Sequence, residues 1–289
     1  MELHQAIDEF LLAVRVQFSP ETERLYSYTL KKLVEELGRE YPLDELTIRD
    51  LREWQAGIDP ELSVFTLHRD VRQAKKFFAW LVDEGHLPHS PAERLKLPKL
   101  PNLPPRAISD HDIGRLLSQA DNLQDYTMIR FLAESGCRVG GVAGLLAGDL
   151  DLEVGEAVVT EKGRKTRVVM FGQPTAGCFA RLKQDRDWVG TDCIFVGRRG
   201  PLTGSGIWRR LQSLAALAGV KERFNPHSFR HALARRLLRN GADLGTVSQI
   251  LGHSSVEITH KFYARWTSGE LASRWAEYGG ELPFANGLV

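Results

Sequence analysis

Four prolines crowd residues 97–105, at Pro98, Pro101, Pro104 and Pro105, and no other feature restricts the fold of this 289-residue chain as strongly. Each fixes its own backbone angle and removes an N–H donor, so neither a helix nor a central strand can run through them. The segment reads as extended and semi-rigid, a boundary between domains. We therefore expect a first domain over residues 1–97, a linker over 98–106 and a second domain over 107–289, each domain long enough to bury its own core.

Upstream of the prolines the pattern is helical throughout. Residues 2–17 place Ile7, Phe10, Leu11 and Val14 on one face. Ser19-Pro20-Glu21 opens a second helix, with Tyr26, Leu30, Leu33, Val34 and Leu37 inward until Gly38 stops it. Thr47 caps a third that ends near Gly57. Ser63 starts a long fourth whose stripe is Leu67, Val71, Ala74, Phe78 and Leu81, with Gly85 as its stop. On a neighbouring face Arg69, Arg72 and Lys76 line up. That pattern is shared by an ordinary solvated face and by a helix laid against a DNA backbone.

Downstream the pattern is mixed. Ser109 opens helices over 110–120 and 124–135; Gly136 ends the second, and Val139 begins a short one just after Arg138. Short β segments follow over 150–154, 157–160 and 167–171, with Lys162, Arg164 and Lys165 at the second hairpin tip. The chain then returns to helix, apart from a glycine-rich run over 197–206. The expected class is mainly α, with a small three-stranded antiparallel sheet in the second domain.

Residues 225–263 concentrate the chemistry. Asn225-Pro226 is a helix start, and His227 and Arg230, three apart, leave the same face of its first turn. A helix N-terminus already favours an anion. Asn240-Gly241 ends this helix, Asp243 caps a second that stops at Gly252, and His253 follows. Ser254 and Ser255 then cap a third that presents Tyr263. From Arg198 to Arg239 the only acid is Glu222 among many bases, which points to a polyanion although the whole chain carries a formal charge of only +1.

Other classes fit less well. There is no secretion signal and no apolar run of membrane length. Cys137, Cys178 and Cys193 lack C-x-x-C spacing, so we expect a reducing cytoplasm rather than disulfides or structural zinc. His227 and His231 have zinc-ligand spacing without the glutamate of H-E-x-x-H. Cys137 has no base beside it and reads as packing. No phosphate-binding G-x-x-x-x-G-K-[ST] motif or magnesium-type carboxylate cluster is found, and no metal or cofactor is expected.

Several words of the sequence, taken in order, resemble one family. They are Ser135-Gly136-Cys137-Arg138, Glu161-Lys162-Gly163-Arg164-Lys165, Pro226-His227-Ser228-Phe229-Arg230-His231 and Leu251-Gly252-His253-Ser254-Ser255, with Tyr263 after them. Over essentially the whole chain they resemble the tyrosine recombinases of the phage-integrase family, in layout most like the Xer type. The resemblance implies a helical, SAM-like core-binding domain that contacts DNA, and an α-rich catalytic domain. Its C-terminal segment, about 268–289, would dock onto the next protomer of a DNA-bound homo- or hetero-tetramer.

The same resemblance implies the site. Arg138 and Arg230 would clamp the scissile phosphate of a double-stranded recombination site, and Tyr263 would attack it to form a 3′-phosphotyrosine link. His227 would accept the proton, Lys162 would protonate the departing 5′ oxygen, and His253 would donate a hydrogen bond. Arg69, Arg72, Lys76, Arg164 and Lys165 are candidate DNA contacts, and a DNA translocase or accessory regulator is an implied partner.

Two departures stand out. Gly141 occupies the place, three after Arg138, where many relatives carry an acid that helps orient the His-x-x-Arg pair. Tyr263 lies ten residues after His253, where Xer proteins have nine. The expected activity is site-specific recombination through a Holliday junction, with chromosome-dimer resolution as its role. The alternatives are a phage or transposon integrase, a type IB topoisomerase and a catalytically silent DNA-binding protein.

Overall fold

A computed structural model of the chain describes residues 1–59, 61–101, 106–161, 163, 165–221, 224–252, 255–257 and 260. The chain divides into two compact units, Met1–Leu103 and Pro104–Val289. Among the described residues no helix is long and apolar enough to cross a membrane.

The first unit is built from α1 (Leu3–Gln17), α2 (Pro20–Leu37), α3 (Ile48–Gly57) and α4 (Val64–Asp83). Their starts are set locally. The Ser19 hydroxyl accepts the Thr22 N–H (3.4 Å) ahead of Pro20. Thr47 and Asp50 cap each other reciprocally: Asp50 accepts the Thr47 N–H at 2.8 Å and Thr47 accepts the Asp50 N–H at 3.4 Å. Phe10 sits among Tyr26, Phe77 and Trp80 at centroid distances of 5.1, 5.3 and 5.3 Å, all edge-to-face. Leu30, Leu33, Trp54 and Phe78 complete a core whose larger side chains each contribute about 1.5–3 kcal/mol by burial.

That core also holds a charge. Asp70 on α4 is fully buried, and its carboxylate receives Lys32 Nζ (2.9 Å), both Nε (2.9 Å) and Nη2 (2.7 Å) of Arg69, and the Thr29 hydroxyl (2.9 Å). Lys75, on another face of α4, donates to the carbonyls of Ala92, Glu93 and Leu95 at 2.7, 2.7 and 2.9 Å and ties down the segment beyond the helix.

The second unit comprises α5 (Asp110–Ser118), α6 (Leu123–Ser135), α7 (Val139–Ala143), β1 (Leu150–Asp151), β2 (Glu156–Glu161), β3 (Lys165–Met170), α8 (Gln173–Arg186), β4 (Val196–Gly197), β5 (Gly200–Pro201), α9 (Gly204–Leu217), α10 (Pro226–Arg239) and α11 (Leu244–Leu251). Helix α6 runs through the middle, packed by α5, α8 and α10. Phe131, Phe171 and Phe179 meet edge-to-face at 5.4–5.7 Å in the main core. A smaller cluster of Leu233, Leu238, Val247 and Leu251 joins α10 to α11.

The sheet is three-stranded and antiparallel in the order β1-β2-β3. Its first strand is shorter than the 150–154 expected from the sequence. The Asp151 carboxylate accepts the N–H groups of Glu153 (3.1 Å) and Val154 (3.0 Å), and Gly155 takes a φ of 82°, so the chain turns back at once. In the glycine-rich run, expected to be irregular, two strands of two residues each pair as the hairpin β4–β5, and the run's last residues open α9.

Replacing Asp70 with Ala leaves Lys32, Arg69 and Thr29 facing an empty core position. We expect a loss of about 3 kcal/mol in urea unfolding of the first unit. Gly136 has a φ of 57°, and a Cβ there would stand 2.7 Å from Leu233 Cδ2 and 3.2 Å from Leu251 Cδ2. Gly136→Ala should therefore cost about 2 kcal/mol, read as a lowered thermal midpoint of the second unit.

Candidate active site

The site grows from the end of α6. Gly136 reverses the chain in the left-handed conformation, which sets Arg138 at the N-terminus of α7, half-buried. Along β2 the inward positions alternate through Ala157 and Val159, both buried, and the next on that face is Glu161. Arg167 on β3 lies directly opposite Val159 and shares the face. Both ends of a salt-bridged group are therefore delivered by strand periodicity.

Glu161 joins the pieces. Its side chain is only 5% exposed. One carboxylate oxygen accepts the backbone N–H of Arg138 (3.0 Å) and Nη2 of Arg167 (3.3 Å), and the other accepts Nη1 of Arg138. Arg167 also donates Nη1 to the Ile250 carbonyl at 2.9 Å, near the C-terminus of α11.

Arg230 is held by α10. At the start of that helix Ser228 Oγ accepts the Asn225 N–H (3.0 Å), and Ser228 and Phe229 turn into the core. Arg230 is 3% exposed; Nη1 donates to the Gly136 carbonyl at 3.0 Å and Nη2 to the Leu251 carbonyl. These carbonyls belong to the ends of α6 and α11, where backbone acceptors lack helical partners and the helix dipole is negative. Gly252 follows with a φ of 63° and ends α11 in the left-handed conformation.

His227 opens to solvent from the first turn of α10 but is crowded on its inner side. Burial, then the charges of Arg138 and Arg230, push its imidazole below the usual pKa, and Glu161 pulls the other way. One imidazole thus feels both arginines of the expected clamp. Cys137 beside them is buried, and burial raises its thiol to about 11, so it is protonated at neutral pH.

Lys165 is exposed at the start of β3, opposite Glu161. In the first unit Arg72 and Lys76 are exposed on α4, whereas Arg69 is engaged by Asp70. Lys162, Arg164, His253, Tyr263, the segment 268–289 and residues 102–105 of the proline stretch lie outside the described residues. Among the described residues no three His, Cys, Asp or Glu side chains are grouped so as to hold a metal ion.

Sequence reasoning missed Glu161 and Arg167. The signal was available: each is a charged residue on the inward phase of a strand whose neighbours Val159 and Val169 are buried.

The sequence pattern of the phage integrase family matches residues 106–269. Tyrosine recombinase XerD of Listeria innocua serovar 6a is 30% identical over 275 residues, covering 89% of this chain and 93% of that one. Tyrosine recombinase XerC of Corynebacterium glutamicum is 31% identical over 269 residues, covering 89% and 86%. The crystal structure of XerA recombinase superposes with a TM-score of 0.55 at 25% identity, covering 97% of this chain and 100% of that one. The Tn1549 transposon integrase, in complex with a circular intermediate DNA, superposes with a TM-score of 0.76 at 19% identity, covering 96% and 99%. With the family pattern spanning more than half of its length, this chain belongs to the phage integrase family.

Proposed function

We propose that the chain is a tyrosine site-specific recombinase that cuts and rejoins double-stranded DNA. The observation that carries this reading is geometric: Arg138, just beyond the end of α6, and Arg230, which donates to the Gly136 carbonyl at that same end, are brought together at the first turn of α10, which also carries His227. Such a cluster at a helix N-terminus suits a phosphodiester, whose extra transition-state charge it stabilises without a metal.

In this reading the Tyr263 phenolic oxygen attacks the phosphorus. A phosphotyrosine bond forms, the bond to the 5′ oxygen breaks, the phenolic proton passes to His227, and Lys162 protonates the leaving oxygen. A 5′ hydroxyl from the partner site then reverses the step, so bond energy is conserved. His253 donates to the phosphate. Arg72, Lys76, Arg164 and Lys165 are proposed backbone contacts, with the first unit as the core-binding domain. Chromosome-dimer resolution is the preferred role, because the Xer-named relatives match along most of the chain. Segment 268–289 would couple the protomers of a tetramer.

Incubation with a nicked suicide duplex, carrying a site selected for binding from a random pool, tests this. A covalent adduct should form and be absent with Tyr263→Phe; Arg138→Ala should slow it by about 10²-fold. An adduct that survives Tyr263→Phe would refute the reading, and strand exchange between two such sites separates a recombinase from a topoisomerase.

The acid side of the rate profile follows from His227. Neutral imidazole is the working form and its pKa is depressed. The acid limb of the second-order rate of adduct formation should therefore have its midpoint below the ordinary imidazole value of about 6.5, and this limb should be lost in His227→Gln.

A further inference from the structure

We infer that Glu161 is a positioning residue of the active site: from the end of β2 its carboxylate orients Arg138 and, through Arg167, the end of α11 that precedes His253, in the space that Gly141 leaves on α7. This deepens the recombinase reading and rests on it for the roles of Arg138 and His253.

The geometry supports it in three ways. First, the carboxylate is almost wholly enclosed, and such a charge is tolerated only when its lone pairs are met. Here they are met by the main chain and side chain of Arg138 and by Arg167. Second, Arg138 remains 38% exposed, and among the described residues the donors it commits to Glu161 are its backbone N–H and Nη1. The carboxylate thus holds one nitrogen of the fork while part of the side chain stays accessible. Third, a Cβ on Gly141 would stand 3.4 Å from Val159 Cβ and 3.7 Å from Glu161 Cγ. An acid reaching from α7 would enter the volume that Glu161 fills, so the strand supplies the carboxylate that the helix lacks.

The same contacts set the local charge. Burial alone would raise the Glu161 carboxyl, but the Arg138 N–H and the guanidinium groups of Arg167 and Arg138 outweigh it and hold the group below the usual carboxylate range. It is therefore anionic at neutral pH. Among the described residues the charges acting on His227 are then Arg138 and Arg230 against this carboxylate.

The test compares the full chain with Glu161→Gln and with the relocated pair Gly141→Glu plus Glu161→Ala. Three quantities are read: adduct formation on the suicide duplex, DNA affinity, and the titration of His227 by NMR in the free protein. Glu161→Gln should keep DNA affinity within about threefold, since it leaves the proposed backbone contacts at Arg72, Lys76, Arg164 and Lys165 in place. It should slow adduct formation by about tenfold or more and move the His227 midpoint to lower pH. The relocated pair should recover both. An unchanged His227 midpoint, or affinity and cleavage falling in equal proportion, would reduce Glu161 to a structural ion pair and overturn the proposal. Should the wild type form no adduct dependent on Tyr263, the recombinase reading falls. The His227 titration still decides whether Glu161 governs this cluster.

Discussion

The second unit turns on buried guanidinium groups placed against the C-terminal ends of helices. Arg230 lies on the carbonyls of Gly136 and Leu251, and Arg167 on that of Ile250, so two helix ends that would otherwise present unmet acceptors to the interior are satisfied by side chains. This constraint fixes three elements at once. Helix α10 must deliver Arg230 inward at its first turn, α6 must stop at Gly136, and α11 must stop at Leu251. The carbonyls gain partners, the positive charges gain the negative ends of two dipoles, and the chain beyond Gly252 starts from a fixed point.

A site of this kind has a problem of like charge. Arg138, Arg167 and Arg230 converge, and Glu161 is the buried anion bonded to two of them. Without an anion the arginines would repel one another and depress His227 further; with too much negative charge they would no longer suit the phosphate proposed for them. A single carboxylate, bonded to the inner side of Arg138 while the outer side stays open, meets both demands. The first unit uses the same device for a different end: Asp70 binds Lys32 and Arg69 inside an apolar core, which removes Arg69 from the row of free cations read from the sequence.

Helices were readable because their signals are local. Ser19, Thr47, Ser63, Ser109 and Asp243 each accept a bond from an N–H three residues on, and Gly136 and Gly252 take the left-handed conformation that ends a helix. Short strands were read less well. The end of β1 depends on how the Asp151 carboxylate folds onto the next turn, and β4–β5 on which glycine takes a positive φ. Arg138, His227 and Arg230 were singled out by their surrounding words. Their grouping was not, since it depends on a left-handed glycine, a strand register and a helix end meeting in space.

Glu161 shows why a motif-led reading stops short. It was quoted as the first letter of a word whose chemistry was assigned to Lys162, and Gly141 was read as an absence. The two are linked by distance rather than by spacing: 20 positions separate them along the chain, yet the missing Cβ of one points at the side chain of the other. A carboxylate in an active site is defined by the atoms it faces, not by the element that carries it. Moving it from a helix to a strand preserves its partners only if the register puts it on the inward phase, and here Val159 does so by fixing the face that Glu161 shares. A one-residue slip of β2 would turn the carboxylate outward and leave Arg138 and Arg167 without a buried counter-charge, so the sheet's register is itself a condition of the chemistry.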